Sequence, residues 1–143
     1  MTDVIRKESN RGEFIQTSAA AVSGNPLSQS IRVGEWLFLS GQLGMYAPDD
    51  HPAKGRVEGG PVAEAKKIME NISAVLLEGG ASMDSVVKTT IFLTPNVSPE
   101  EAKEINAVYR SYFTEPYPAR SLVVVANLNK GCSIEIECIA SVT

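Results

Sequence analysis

An arginine that opens a strand and two glutamates on the strand after it are the residues of this chain best suited to chemistry. Pro118-Ala119-Arg120-Ser121 leads into a valine-rich run from Leu122 to Asn127. A short Asn/Lys/Gly loop then leads to Ser133-Ile134-Glu135-Ile136-Glu137-Cys138-Ile139-Ala140. Strict alternation puts Ile134, Ile136, Cys138 and Ala140 on one strand face and Glu135, Glu137 and Ser141 on the other. A guanidinium is a permanent cation that grips a carboxylate through two parallel hydrogen bonds. A glutamate on a poorly solvated face can take up or release a proton. The pair therefore suggests a cation for an anionic substrate and an acid or base to act on it. A solvated sheet face beside a surface arginine would carry the same residue types.

Other chemistries find little support. His51 is the only histidine and stands in a Pro/Asp/Gly-rich loop. No Cys or carboxylate cluster surrounds it at ligand spacing, so no metal site is expected. A Ser-His-Asp triad would need that loop histidine as its base. Cys132 and Cys138 lie six apart and form neither a disulfide framework nor a zinc knuckle. A net charge of −4 and the lack of a Lys/Arg cluster argue against a nucleic-acid surface. No apolar run reaches the roughly 18 residues of a membrane span. Arg6, Lys7 and Arg11 are interrupted by Asp3, Glu8 and Glu13, and no apolar stretch follows, so a cytoplasmic address is expected.

The elements that must position these residues are legible as one domain over residues 1–143, with 43% hydrophobic and 21% charged residues. Short strands are expected at Phe14 to Thr17, Ser30 to Val33 and Trp36 to Leu39. Tyr46 to Gly60 reads as a loop. Pro61 opens a helix whose stripe Ala65, Ile68, Met69, Ile72, Val75 and Leu76 follows helical spacing, and Gly79-Gly80 ends it. Val86 to Leu93 is a strand. Ser98-Pro99-Glu100-Glu101 is a capping box with proline in the first turn. The helix it starts carries Ala102, Ile105, Tyr109, Tyr112 and Phe113, and stops before Pro116 and Pro118. Strands from Ser121 to Asn127 and from Ser133 to Val142 complete the order β-β-β-α-β-α-β-β, a two-layer α/β sandwich of one mixed sheet and two helices. The sheet face without helices is left partly apolar by Val123, Val125 and Ile139, which implies cover from a partner.

Five ordered motifs resemble the RidA family. The Pro118–Ser121 corner with its following Ile-Glu-Ile-Glu run is the C-terminal one. Asn25-Pro26-Leu27-Ser28-Gln29 is similar to the family's G-P-Y-S-Q, and Leu39-Ser40-Gly41-Gln42-Leu43-Gly44 to its S-G-Q strand end. Val87 to Leu93 resembles its central strand and Asn106-Ala107-Val108-Tyr109 its N-x-x-Y helix. The resemblance implies a chorismate-mutase-like fold, a homotrimer with sites between subunits, no cofactor, and a small imino or oxo acid as ligand. It implies that Arg120 clamps the carboxylate and that Glu135 orients or activates water. Ser40, Gly41, Asn106, Leu27 and Leu122 are then candidate substrate contacts. Asn106 could equally be a satisfied core amide, and Glu137 reads as structural. Leu27 stands where the family carries tyrosine, and Leu122 where it carries cysteine.

Three activities follow as expectations: hydrolysis of reactive enamines or imines to 2-oxo acids and ammonia, non-catalytic binding of small molecules, or a ribonuclease or translation-inhibitor role. The acidic balance speaks against the last. The connection from Arg120 to Glu135 adds a geometric expectation. Glu135 should lie level with about Ala126, roughly six residues or 20 Å from Arg120 along the strands. Two groups that far apart serve one small acid only if they come from different chains.

Overall fold

The computed structural model describes residues 1–50 and 54–142; His51 lies outside them. Strands β1 (Val4–Ser9), β2 (Gly12–Thr17), β3 (Ser30–Val33), β4 (Trp36–Leu39) and β5 (Gln42–Leu43) precede helix α1 (Pro61–Glu78). Strand β6 (Val86–Leu93), helix α2 (Pro99–Ser111) and strands β7 (Ala119–Val124) and β8 (Ile134–Ser141) follow. The strands form one mixed sheet in the order β1-β2-β3-β4-β8-β6-β7, with β5 also paired to β8. The expected class holds, with β1 and the two-residue β5 added to the expected order. β1 is exposed at all six positions and shows no alternation that would mark it. Its Arg6, Lys7 and Glu8 suit a sheet edge, where charge discourages pairing with another chain.

Both helices lie on one sheet face. The α1 stripe from Ala65 to Leu76 is essentially inaccessible and packs with Leu37, Ile91, Ile134, Ile136, Cys138 and Ala140 into one apolar core. Helical spacing on α1 and period-two spacing on β8 therefore meet across the same interface. The expected capping box starts α2: Ser98 Oγ accepts from Glu101 N–H at 3.1 Å, and Glu101 Oε1 accepts from Ser98 N–H at 3.0 Å. Beyond the α1 stripe, the fully buried Glu64 accepts a 2.8 Å hydrogen bond from Ser133 N–H. That bond fixes the chain at the entrance to β8, two residues before Glu135.

The opposite face carries no helix. Trp36 and Phe38 are 47% and 44% exposed there, and Val123 is 44% exposed. Ile139 is half-buried beside Phe38, its register partner. Val125, expected on the same patch, lies just past the end of β7.

Candidate functional site

Register separates the two residues on which the sequence argument rests. β7 runs parallel to β6 with Arg120 level with Thr89, and β8 runs antiparallel to β6 with Glu135 level with Phe92. Phe92 is in turn level with Val123, so Glu135 is three residues from Arg120 along the strands, not six. The chain spends residues 125–133 crossing the end of the intervening β6, which brings β8 back further along than a direct hairpin would. Three residues are about 10 Å, and two strand spacings add about 9.5 Å across, giving roughly 14 Å in place of the expected 20 Å. Thr89 is buried under the helices, whereas Glu135 alternates with the buried Ile134 and Ile136. Arg120 therefore points to the helix side and Glu135 to the bare side. Within one chain they stand on opposite faces of the sheet.

Arg120 is held by neutral groups. Its guanidinium donates a 2.7 Å hydrogen bond to Asn106 Oδ1 and lies 5.1 Å from the centre of the Tyr109 ring. Tyr109 shares a 2.8 Å hydrogen bond with Thr89, and its ring centre is 4.7 Å from that of Phe113. The helix α2 thus supplies both restraints, since Asn106 and Tyr109 are three apart on one helical face. Among the described residues no carboxylate forms an ion pair with Arg120. It lines a cleft of about 200 Å³ with Asn106, Tyr109, Arg110, Tyr117 and Pro118. A cation oriented by an amide oxygen and an aromatic face keeps its demand for an anion. Leu122 follows on the same face of β7, level with Ile91, and is 46% exposed.

The bare-face group is built around a bulge. Phe38 is level with Ile139 and Gln42 with Ile136, so three residues of one strand, Leu39, Ser40 and Gly41, oppose two of β8. Ser40 Oγ donates to the Ser28 carbonyl at 2.5 Å, and Ser40 N–H donates to the Gln29 carbonyl at 3.1 Å. At Gly41 the missing side chain lets the Glu135 carboxylate lie against the backbone, and a Cβ there would push that carboxylate aside. Ser40 and the half-exposed Leu27 share an open cleft of about 590 Å³ with Ser28, Ile31 and Phe38. Partial burial raises the pKa of Glu135, and the nearby Glu137 carboxylate raises it further. Glu135 is thereby kept closer to neutral pH than an ordinary glutamate, which suits proton transfer.

Two arrangements emerge from seven candidates. Arg120 and Asn106 are in contact on the helix side, with Leu122 nearby. Leu27, Ser40, Gly41 and Glu135 gather around the bulge. Tyr117 and Arg110 line the Arg120 cleft without a sign in the sequence pattern, and Tyr109 reads from the sequence as part of its helix's core stripe and N-x-x-Y motif. Its spacing from Asn106 was the usable signal. The two cysteines are buried thiols; burial pushes Cys132 up to about 11 and Cys138 up to about 12. Both are protonated at neutral pH and poor nucleophiles. Among the described residues no group of three or more His, Cys, Asp or Glu is placed to hold a metal ion, and no helix is long and apolar enough to cross a membrane.

A family model described as endoribonuclease L-PSP matches residues 17–142, which include both arrangements. The chain belongs to the RidA family. It is 39% identical over 128 residues to the 2-iminobutanoate/2-iminopropanoate deaminase of Capra hircus, covering 89% of this chain and 88% of that one. The crystal structure of RidA from an Antarctic Psychrobacter superposes with a TM-score of 0.78 at 36% identity, covering 90% of this chain and 98% of that one. Escherichia coli TdcF with bound serine superposes with a TM-score of 0.76 at 32% identity, covering 88% and 96%. For a RidA-family chain, the sheet with two helices on one face is thus the shared fold, and the two clefts are where its own chemistry must be sought.

Proposed function

We propose that the protein hydrolyses the enamine and imine forms of 2-amino acids to 2-oxo acids and ammonia, at sites shared between the subunits of a homotrimer. The observation that carries this reading is Arg120, a cation in a cleft, oriented by Asn106 and Tyr109 and lacking a carboxylate partner among the described residues. Deaminase relatives at 35–39% identity supply the reaction class, and the serine-bound neighbour shows that a related chain holds a molecule of amino-acid size.

In this reading Arg120 takes the substrate carboxylate through two hydrogen bonds. Glu135, from a neighbouring subunit, accepts a proton as water oxygen bonds to the imine carbon. It returns that proton to nitrogen, then takes the proton of the new hydroxyl and passes it to nitrogen as well, so that the carbonyl forms as the C–N bond breaks and nitrogen leaves as ammonia. One water is consumed, one ammonia leaves, and no electrons are exchanged. An enamine enters by taking a proton on carbon and losing one from nitrogen, which makes it the imine. Gly41 leaves the carboxylate room at the bulge, and Ser40 is held with its backbone beside it. With Arg120 and Glu135 on opposed faces, a second chain completes the site in this reading, and the apolar patch of Trp36, Phe38, Val123 and Ile139 offers surface for one. The same proposal places the protein in the cytoplasm, among the products of pyridoxal-phosphate enzymes.

A non-catalytic binder is favoured by one observation. By the family resemblance Leu27 replaces a phenol, and leucine can neither donate nor accept a proton. The apolar wall it forms would then admit a larger side chain. Ammonia release from freshly generated 2-aminoacrylate decides between the two. Acceleration over the uncatalysed rate supports the deaminase, whereas binding of 2-oxobutanoate without acceleration supports the binder.

A further inference from the structure

The turn between β1 and β2 lies outside the segment that the family model matches, and it brings a cation to the Leu27 cleft. Of the residues lining that cleft, Arg11 alone is charged. The turn that carries it is pinned. Ser9 pairs with Gly12, Ser9 Oγ donates to the Gly12 carbonyl at 2.7 Å, and Arg11 N–H donates to Ser9 Oγ at 3.3 Å. Gly12 has a φ of 108° and its missing Cβ would overlap the Arg32 carbonyl, so the chain there fits only glycine. Arg6, on the adjoining strand, is paired with Glu13 and Glu78 at 3.6 and 3.2 Å. Arg11 has no such ion pair among the described residues. The remaining walls are apolar or hydroxylic: Leu27, Ile31 and Phe38 with Ser28 and Ser40.

We propose that Arg11 is a specificity-determining residue that receives a second carboxylate at the far end of the substrate's side chain. The preferred substrates are then imines of dicarboxylic amino acids, with an apolar span lying along Leu27, Ile31 and Phe38. The inference rests on the reading above that the Leu27–Glu135 arrangement belongs to the imine site. It goes beyond that reading by naming the substrate class.

The test is calorimetry of the assembled protein with 2-oxohexanoate and 2-oxoadipate, six-carbon acids that differ in the distal carboxylate. The wild type is expected to bind 2-oxoadipate about tenfold more tightly, as suits a charge-assisted contact. Arg11→Gln should bring the ratio close to one, Arg11→Lys should keep part of it, and added salt should shrink it. Equal ratios in wild type and Arg11→Gln, or tighter wild-type binding of 2-oxohexanoate, would overturn this inference alone. Binding of neither acid by the wild type would overturn the functional reading and this inference together.

Discussion

Arg120 and Glu135 stand on the two strands that flank β6, yet their surroundings differ in kind. Arg120 is oriented by an amide oxygen and an aromatic ring, both from α2, and neither neutralises it. Glu135 has a like charge near it and has lost part of its water, so its ionised form is disfavoured. The first environment holds a charge ready for a counterion; the second makes a proton easy to exchange. In the proposed reading, binding by Arg120 and proton transfer by Glu135 are separable, on opposite faces of one sheet. Substitutions on the two faces should accordingly fail in different ways.

The largest effect is expected at Glu135. Glu135→Gln should lower kcat by about 10² to 10⁴-fold, the usual worth of a general acid–base, while 2-oxobutanoate still binds. A loss of binding with kcat retained would reverse the assignment of the two faces. The same variant has a stability signature. A carboxyl whose pKa is raised on folding binds more protons in the native state, so stability falls as pH rises from about 4.3 through the raised native value. Glu135→Gln should therefore melt higher than wild type at pH 8 and no higher at pH 4.

Arg120→Ala comes next. Affinity for 2-oxobutanoate should fall about 10- to 150-fold, as for the loss of hydrogen bonds to a charged group worth about 1.5–3 kcal/mol. Arg120→Lys should recover part of it, since an ammonium supplies the charge without the planar fork. Calorimetry giving equal affinities would remove Arg120 from the site. The smallest effect is expected at Leu27: Leu27→Tyr should raise turnover of 2-aminoacrylate a few-fold by adding a polar group beside Ser40. Unchanged or lower turnover would mean that this wall does not take part.

Local pattern carried much of this. The alternation of β8 places Glu135 opposite Ile134 and Ile136, and every residue of the α1 stripe is buried in the apolar core. The polar Glu64, Lys67 and Asn71 are buried beside it without a sign in the pattern. The capping box of α2 is fully formed because its partners are three residues apart. What escaped is set by long-range pairing. β1 is exposed on both faces and leaves no periodic trace. The insertion of β6 between β7 and β8, and the crossing residues it demands, changed the Arg120–Glu135 offset and revealed their opposite faces. Register between distant strands is specified by how whole faces bury, not by any one segment. The Ser40–Gly41 motif was legible, but the bulge that uses it depends on β8. The sequence carries no sign of the role proposed for Arg11, since its place beside Leu27 exists only after the hairpin folds.

In the proposed mechanism, Arg120 of one subunit and Glu135 of another serve one substrate. Arg120→Ala and Glu135→Ala proteins, each inactive alone, should be dissociated, mixed in equal amounts and reassembled, with the mixed composition verified by native mass spectrometry. In a closed ring of head-to-tail contacts, random assembly gives about one quarter of the sites both intact residues. Imine hydrolysis should therefore return to about a quarter of the wild-type rate. Mixed oligomers that remain inactive would contradict the shared site.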